Sequence, residues 1–393
     1  MSIERKDLLR FRGGVWPNHI QELFLRAAVC DRPDALVAWD QISKGIDIKK
    51  VDLASRQLLP LIYKNLKLNE KDPLAGSIKE LYKIAVTKNR ILLIEAAKIL
   101  NALKAVSIDA MLLKGAALNL LYYEDHGVRM MEDVDILVKR PMASKAIDLL
   151  ESLGFRALRQ TIDSERVHYI NLSNAHHFKN QQGLLVDLHW NIFAEASYEG
   201  ADDDFWQTAV AIESNGINAA ALCPTDQLLH LLAHGIKWNP TPPIRWVADA
   251  VTVIKRSAGP IDWARLRLKA EEMKLALPIK DAILYLRDRF GIMIPSDIVM
   301  HLGNKKASML ERLNYGIRTN RFGMATWMSV SLSRYLCYAW PRDERGFMAK
   351  VKDLFKYIQY ECGLEHPRDL PFSAISALTG RLRAALGRQN PEK

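Results

Sequence analysis

The sequence predicts an α+β protein in which a small mixed α/β core lies between two helical regions. This prediction rests on a change of hydrophobic period along the 393 residues. Apolar residues follow a helical period over the first hundred residues and again from Pro224 onward, whereas the short apolar runs typical of strands are confined to about 106–190. We therefore predict an N-terminal helical region over 1–105, a core over 106–200 and a C-terminal helical region over 201–393.

The clearest N-terminal helix is predicted over Gly76 to Ala105. Apolar residues recur there at spacings of three, four and seven, which places them on one helix face: Leu81, Ala85, Leu92, Ala96, Ile99 and Leu103. A polar stretch ending at Pro73 separates this helix from an earlier helical group. The N-terminal region is therefore expected to be entirely helical.

The core combines strands and helices in a short stretch of chain. Val134 to Val138 alternates apolar and acidic residues before an apolar pair, which is typical of a strand at the edge of a core. A helix beginning at Ala143 is expected to stop at Gly154. The remaining predicted elements are a strand over 108–113, a helix over 116–123 and a β-hairpin whose strands are 176–179 and 184–190.

The C-terminal region is predicted to be helical from Pro224, with Thr225 or Asp226 as a cap. A proline-rich break at 239–243 precedes further helices. Aromatic residues nearer the C-terminus are expected to be core residues: Phe322, Trp327, Tyr335, Tyr338 and Trp340. The region is thus expected to supply a helical lobe beside the core.

Composition favours a cytoplasmic globular protein. No stretch reaches the 18 or more uninterrupted apolar residues of a membrane span, and the first residues lack the pattern of a signal peptide. The four cysteines are far apart and form no Cys-x-x-Cys pair, which argues against a zinc cluster or a disulfide framework. The net charge of +10 permits a nucleic-acid partner but equally suits an enzyme that binds triphosphates. Because no run of five basic residues occurs, nucleic acid is not the favoured partner.

Two aspartates carry the sharpest chemical signal. Asp133 and Asp135 are two residues apart at the predicted strand, so their side chains project from the same face. Side by side next to apolar residues, the carboxylates repel each other unless a cation lies between them, and oxygen ligands of this kind suit Mg²⁺. An Asp-x-Asp pair alone is also common on solvated surfaces.

A third aspartate strengthens the prediction. Asp187 lies in the second hairpin strand and shares a face with His189. If that strand lies beside the Asp133–Asp135 strand, three carboxylates converge, as phosphoryl or nucleotidyl transfer requires. His189 could orient a substrate or be a structural histidine.

Several other residues are candidates for binding phosphates or substrate. Lys114 and Gly115 join a strand to a helix, where the helix N-terminus and a close backbone can bind a phosphate; an ordinary strand–helix turn is the alternative. Arg129 could contact a triphosphate or be exposed. His230 and His234 share one helix face and are expected to pack or to close over a nucleotide base, because the pattern lacks the glutamate and the third ligand of a zinc site.

The order of these motifs resembles the nucleotidyltransferase superfamily that shares the polymerase-β palm. The resemblance is carried by Leu113-Lys114-Gly115, Tyr122, Arg129, Asp133-Val134-Asp135 and Val186-Asp187-Leu188. The sequence is more similar to a poorly characterised bacterial nucleotidyltransferase family that begins with Leu-Lys-Gly, and more distantly similar to AbiEii-type toxins. Its Lys-Gly turn departs from the Gly-Gly or Gly-Ser of the superfamily.

The resemblance implies a polymerase-β-like core and a Mg²⁺-dependent transfer of NMP from an NTP such as ATP. Asp133, Asp135 and Asp187 would be the catalytic and metal-binding residues, and Lys114 and Gly115 would lie against the β- and γ-phosphates. The acceptor would be a hydroxyl or phosphate on a small molecule, a peptide or protein, or an RNA end. Two alternatives stay open: a toxin-like enzyme acting on tRNA, and an inactive scaffold that binds nucleotide.

Overall fold

A computed structural model of the protein describes residues 13–158, 166–214, 216–304 and 307–319, with a few positions between 346 and 355. The chain divides into two compact units, Met1–Ala307 and Ser308–Lys393. All strands and cavities described below belong to the first unit. The predicted core aromatics between Phe322 and Trp340 lie outside the described residues.

The N-terminal part of the first unit is helical, as the sequence predicted. Its helices are α1 (His19–Val29), α2 (Arg32–Ser43), α3 (Leu53–Arg56), α4 (Leu59–Leu66) and α5 (Ala75–Ala105). The predicted apolar face of α5 is confirmed, because all its residues except Leu81 are buried. At the start of α1, Asn18 and Gln21 form a reciprocal capping box that satisfies free backbone N–H groups.

The strands form one mixed sheet. Their bounds are β1 (Ala110–Leu112), β2 (Val134–Val138), β3 (Arg156–Ala157), β4 (Ala175–Lys179), β5 (Leu185–His189), β6 (Val210–Ser214) and β7 (Ile217–Ala221). Their order across the sheet is β3-β4-β5-β2-β1-β7-β6. The β2–β5 and β1–β7 pairs are parallel, and the other pairs are antiparallel. The predicted strands and the β4–β5 hairpin are confirmed.

The β6–β7 hairpin was not predicted, and it extends the sheet beyond residue 200. β7 reads Ile-Asn-Ala-Ala-Ala, and alanine and asparagine have low strand propensity. Pairing of β7 with β1 therefore decides its conformation, and local sequence does not. The division into three regions at residues 105 and 200 stays a prediction.

Short helices connect the strands, and longer ones follow the sheet. The connecting helices are α6 (Lys114–Leu118), α7 (Ala143–Ser152), α8 (Arg166–Leu172) and α9 (Asp203–Gln207). After β7 come α10 (Pro224–Gly235), α11 (Arg245–Arg256), α12 (Trp263–Glu272), α13 (Ala276–Phe290) and α14 (Ser296–Asn304). α5 packs against β1, β2 and β7, and α10 packs against α11.

The start of α10 corrects one expectation. Cys223 is the N-cap residue and Pro224 occupies the first turn, so neither Thr225 nor Asp226 caps the helix. Both are buried instead, and the Asp226 carboxylate pairs with Arg265 at 2.8 Å. Proline suits this first turn because its missing N–H would have no helical partner there.

The second unit contributes α15 (Met309–Thr319). Among the described residues of both units, no helix is long and apolar enough to cross a membrane.

Candidate active site

Two carboxylates meet at the centre of the sheet. Asp135 on β2 is the direct register partner of Asp187 on the parallel strand β5. Paired residues of neighbouring strands place their side chains on the same face. Asp135 is 2% exposed and Asp187 is 9% exposed, so both are largely removed from water. The structure therefore meets the geometric condition that the sequence left open.

A histidine completes the tightest group of potential metal ligands. Asp135, Asp187 and His189 each offer a ligand atom, and these atoms lie within 4.8 Å of one another. Asp133 is outside this group: it is half-buried and directly precedes β2. The three predicted carboxylates are thus neighbours. Among them, Asp135 and Asp187 lie close enough together to bind one ion.

The charge on Asp135 is compensated within the protein. Lys114 donates a hydrogen bond from Nζ to Asp135 Oδ1 at 2.5 Å, and His189 Nε2 lies 3.1 Å from the same oxygen. Although burial opposes ionisation, these two neighbours hold the pKa of Asp135 well below its usual value. Asp135 is therefore ionised at physiological pH.

The pKa of Asp133 is raised, whereas that of Asp135 is lowered. Burial, followed by repulsion from Asp135 and Asp187, raises the pKa of Asp133 to about 6. The cluster therefore carries more negative charge than Lys114 can balance. A bound cation would relieve this repulsion.

A second histidine contacts the cluster. His177 on β4 is the register partner of Asp187 and forms a hydrogen bond with Asp187 Oδ1. This bond raises the pKa of His177. His177 was not among the site residues that the sequence predicted. The hairpin register could have indicated this contact, because a turn at 180–183 places His177 opposite Asp187 on the neighbouring strand.

The Lys114–Gly115 turn is strained and crowded. Lys114 has a φ of +40°, a conformation that is costly for a residue with a Cβ atom. At Gly115, an added Cβ would lie 2.9 Å from Arg129 Nη1 and 3.1 Å from Met131 Cγ. Gly115 thus lets the start of α6 approach Arg129 and Met131 more closely than a residue with a Cβ atom could.

Arg129 is buried and anchored to the C-terminal helices. The side chain is 6% exposed and forms a bidentate ion pair with Asp249 on α11, at 2.8 Å from Nε and 2.9 Å from Nη2. The alternative that Arg129 is an exposed surface residue is therefore wrong.

A cavity of about 310 Å³ opens beside these groups. The residues that line it include the predicted Lys114, Gly115, Arg129, Asp133, Asp135, His230 and His234, together with Gln57, Arg245, Trp246 and Asp249. Asp187 and His189 do not line it. The cavity is thus lined by the carboxylate cluster and by residues from helical segments that precede and follow the core in sequence. Arg245 was missed by the sequence analysis, because nothing local distinguishes it from a surface arginine.

His230 lines the same cavity, and its side chain is buried. It is 3% exposed, and its Nδ1 has no hydrogen-bond partner in the described part of the chain. Burial, with the nearby Lys114 charge, lowers the pKa of His230 to about 3. His230 is therefore neutral at physiological pH. Within the described ranges, neither His230 nor His234 belongs to a group of potential metal ligands.

Comparison with known families identifies the chain. A family described as "uncharacterised nucleotidyltransferase" matches residues 52–291, which is more than half of the sequence. The chain belongs to this family of nucleotidyltransferases. The matched segment includes α4 and α5, the whole sheet and the helices from α10 to α13. The predicted membership of a nucleotidyltransferase family is therefore confirmed, and the more distant similarity to AbiEii-type toxins stays a prediction.

Two solved structures show weaker similarity to this nucleotidyltransferase. The antibiotic-resistance factor ANT(2'')-Ia is 14% identical, with a TM-score of 0.30 over 55% of this chain and 100% of that chain. An antigenic nucleotidyltransferase-like protein from Paracoccidioides brasiliensis is 17% identical, with a TM-score of 0.31 over 58% of this chain and 95% of that chain. Among curated proteins, none matches the chain.

Proposed function

We propose that this nucleotidyltransferase is Mg²⁺-dependent and transfers a nucleoside monophosphate from an NTP to a hydroxyl or phosphate acceptor. The observation that supports this most is the register pairing of Asp135 with Asp187, with Asp133 at the wall of the adjoining cavity. Buried carboxylates placed this closely repel each other. A divalent cation is the partner that their chemistry best accommodates.

Asp133, Asp135 and Asp187 fit Mg²⁺ by their donor chemistry, because the ion prefers carboxylate oxygens and takes further ligands from phosphates. When bound, Mg²⁺ would act as a Lewis acid that stabilises the negative charge developing on the leaving pyrophosphate. His189 would act behind the ligands: its hydrogen bond to Asp135 Oδ1 holds that carboxylate in place.

The protein's own groups would bind and orient the triphosphate. Gly115 permits close backbone approach at the start of α6, and Lys114 and Arg129 supply positive charge at the cavity wall. In the transfer, the acceptor oxygen forms a bond to the α-phosphorus, and the bond from that phosphorus to the β-phosphate oxygen breaks. Pyrophosphate leaves. Asp187, near the acceptor, takes the proton of an attacking hydroxyl.

The experiment is a pyrophosphate-release assay with the full chain, Mg²⁺ and each of the four NTPs, screened against pools of small molecules, peptides and RNA. Asp135→Asn and Asp187→Asn should each lower release by about a hundredfold or more, because an uncharged amide cannot replace the carboxylate. Asp109→Asn is the matched control, since Asp109 is exposed and directly precedes β1. Release that persists undiminished in both site variants would refute the proposal.

The same assay addresses the alternatives. NTP binding without pyrophosphate release from any pool, and without dependence on Mg²⁺, would indicate an inactive scaffold. Labelling of tRNA, with binding that weakens steeply as salt is added, would identify the toxin-like activity.

A further inference from the structure

Arg129 lines the cavity, and two of its three guanidinium nitrogens are bonded to Asp249. Asp249 accepts hydrogen bonds from Nε and Nη2 through its two oxygens. The third nitrogen, Nη1, lies next to Gly115, 2.9 Å from where a Cβ of that residue would be. The bidentate geometry fixes the guanidinium plane, so the direction of Nη1 is fixed as well.

The surroundings hold this arrangement rigidly. Tyr123 donates a hydrogen bond to Asp249 Oδ1 at 2.8 Å. The Arg129 carbonyl oxygen accepts hydrogen bonds from Asn89 Nδ2 at 2.7 Å and Asn119 Nδ2 at 3.0 Å. Both asparagines are fully buried. Arg129 is thus anchored at its backbone and at its side chain by three separate helical segments.

A second arginine reaches the same cavity without a carboxylate of its own. Arg245, at the start of α11, donates a hydrogen bond from Nη1 to the Met130 carbonyl at 2.9 Å. In the described part of the chain, it forms no ion pair. Burial, followed by repulsion from Arg129, lowers the pKa of Arg245.

Two guanidinium groups therefore line this side of the cavity. Asp249 pairs directly with Arg129, whereas among the described residues the carboxylates of Asp249 and Asp133 act on Arg245 without forming an ion pair with it. Uncompensated charge away from bulk water is unfavourable unless a ligand supplies the opposite sign. A polyphosphate has that sign, and its oxygens suit the forked donors of guanidinium groups.

We propose that Arg129 Nη1 and Arg245 bind the β- and γ-phosphates of the NTP, and that Asp249 is a positioning residue that aims Arg129. This inference rests on the proposed function and extends it. The nucleotide would lie with its triphosphate between α6 and α11, and the leaving pyrophosphate would stay bound to residues of both the core and the C-terminal helices.

The first test is calorimetric titration of the full chain with NTP, NMP and inorganic tripolyphosphate, each with Mg²⁺. Arg245→Gln should weaken binding of NTP and tripolyphosphate by about ten- to a hundredfold and leave NMP binding unchanged. Arg287→Gln is the matched control, because Arg287 is an exposed arginine that pairs with its neighbour Asp288. An equal loss for NMP, or no loss for tripolyphosphate, would overturn the proposed subsite.

The second test separates positioning from simple structural support. Asp249→Asn should weaken tripolyphosphate binding in the native background but cause no further loss when combined with Arg129→Gln, since the effect passes through Arg129. Additive losses would show that Asp249 does not act through Arg129. Tyr123→Phe, which removes one hydroxyl and keeps the ring, should give the same pattern with a smaller loss.

The outcomes also separate this inference from the proposed function. If the native protein binds NTP with Mg²⁺ and Arg245→Gln changes nothing, the subsite is wrong and the transferase proposal stands. If the native protein binds no NTP with Mg²⁺, both are wrong.

Discussion

Lys114 donates its hydrogen bond to Asp135 Oδ1, the same carboxylate that pairs in register with Asp187. A lysine thus occupies the position beside Asp135 where a metal ion would bind. Since the two cations compete for one carboxylate, the ion pair between Lys114 and Asp135 should set how strongly the metal-free site attracts Mg²⁺.

Replacing Lys114 by methionine tests whether Lys114 competes with Mg²⁺ for Asp135. Lys114→Met leaves Asp135 without its main counter-ion, so we expect a loss of about 1–3 kcal/mol in metal-free stability. Added Mg²⁺ should then raise the unfolding midpoint of the variant more than that of the native protein, because the ion no longer displaces an ammonium group. Thermal unfolding with and without Mg²⁺ measures both effects.

Lys139→Met is the control for this experiment. Lys139 is an exposed lysine that directly follows β2 and pairs loosely with Asp109 at 3.5 Å. Its replacement should leave the Mg²⁺-dependent gain at the native value. An equal gain in Lys114→Met and in the native protein would show that Lys114 does not compete with the ion.

A methyl group at Gly115 should disturb phosphate binding. In Gly115→Ala, the new Cβ would meet Arg129 Nη1 at 2.9 Å, and Asp249 prevents the guanidinium from swinging away. We expect NTP affinity to fall at least about tenfold, equivalent to about 1.4 kcal/mol. Calorimetric titration with NTP and Mg²⁺ measures this change.

Gly76→Ala is the control variant for Gly115→Ala. Gly76 lies in α5, and nothing lies within 4 Å of the position of an added Cβ. Alanine should stabilise this helix by up to about 1 kcal/mol and leave NTP affinity unchanged. If Gly115→Ala binds NTP as tightly as the native protein, the close approach between Gly115 and Arg129 has no part in nucleotide binding.

The buried, neutral His230 should make the fold sensitive to acid. Its pKa is about 3 in the folded protein against 6.5 for an ordinary histidine, so the unfolded chain binds the extra proton between these values. Stability is therefore lost as pH falls below about 6.5, by about 2 kcal/mol at pH 5 from this residue.

His230→Gln should remove that contribution. Urea unfolding at pH 7 and pH 5 should show a difference between the two pH values that is about 2 kcal/mol smaller in the variant than in the native protein. His19→Gln, at an exposed histidine, should keep the native pH dependence. The same pH dependence in all three proteins would mean that His230 is not held neutral by the fold.

Local pattern predicted the elements that carry the site. The alternation around Asp133 and Asp135 predicted β2, and the turn before Leu184 predicted the β4–β5 hairpin, because strand and turn preferences act between neighbouring residues. The β6–β7 hairpin was missed since its alanines favour a strand only when they pair with β1. The cap of α10 was misplaced because Pro224 itself occupies the first turn.

The sequence by itself determined the main helices, the strands β1, β2, β4 and β5, and the family, all of which follow from local periodicity and the order of short motifs. Only the tertiary structure decided that Asp187 faces Asp135, that His177 contacts Asp187, and that Arg129 is held by Asp249. These contacts join residues far apart in the chain. They depend on sheet register and on helix packing, which are properties of the whole fold that no single stretch of sequence specifies.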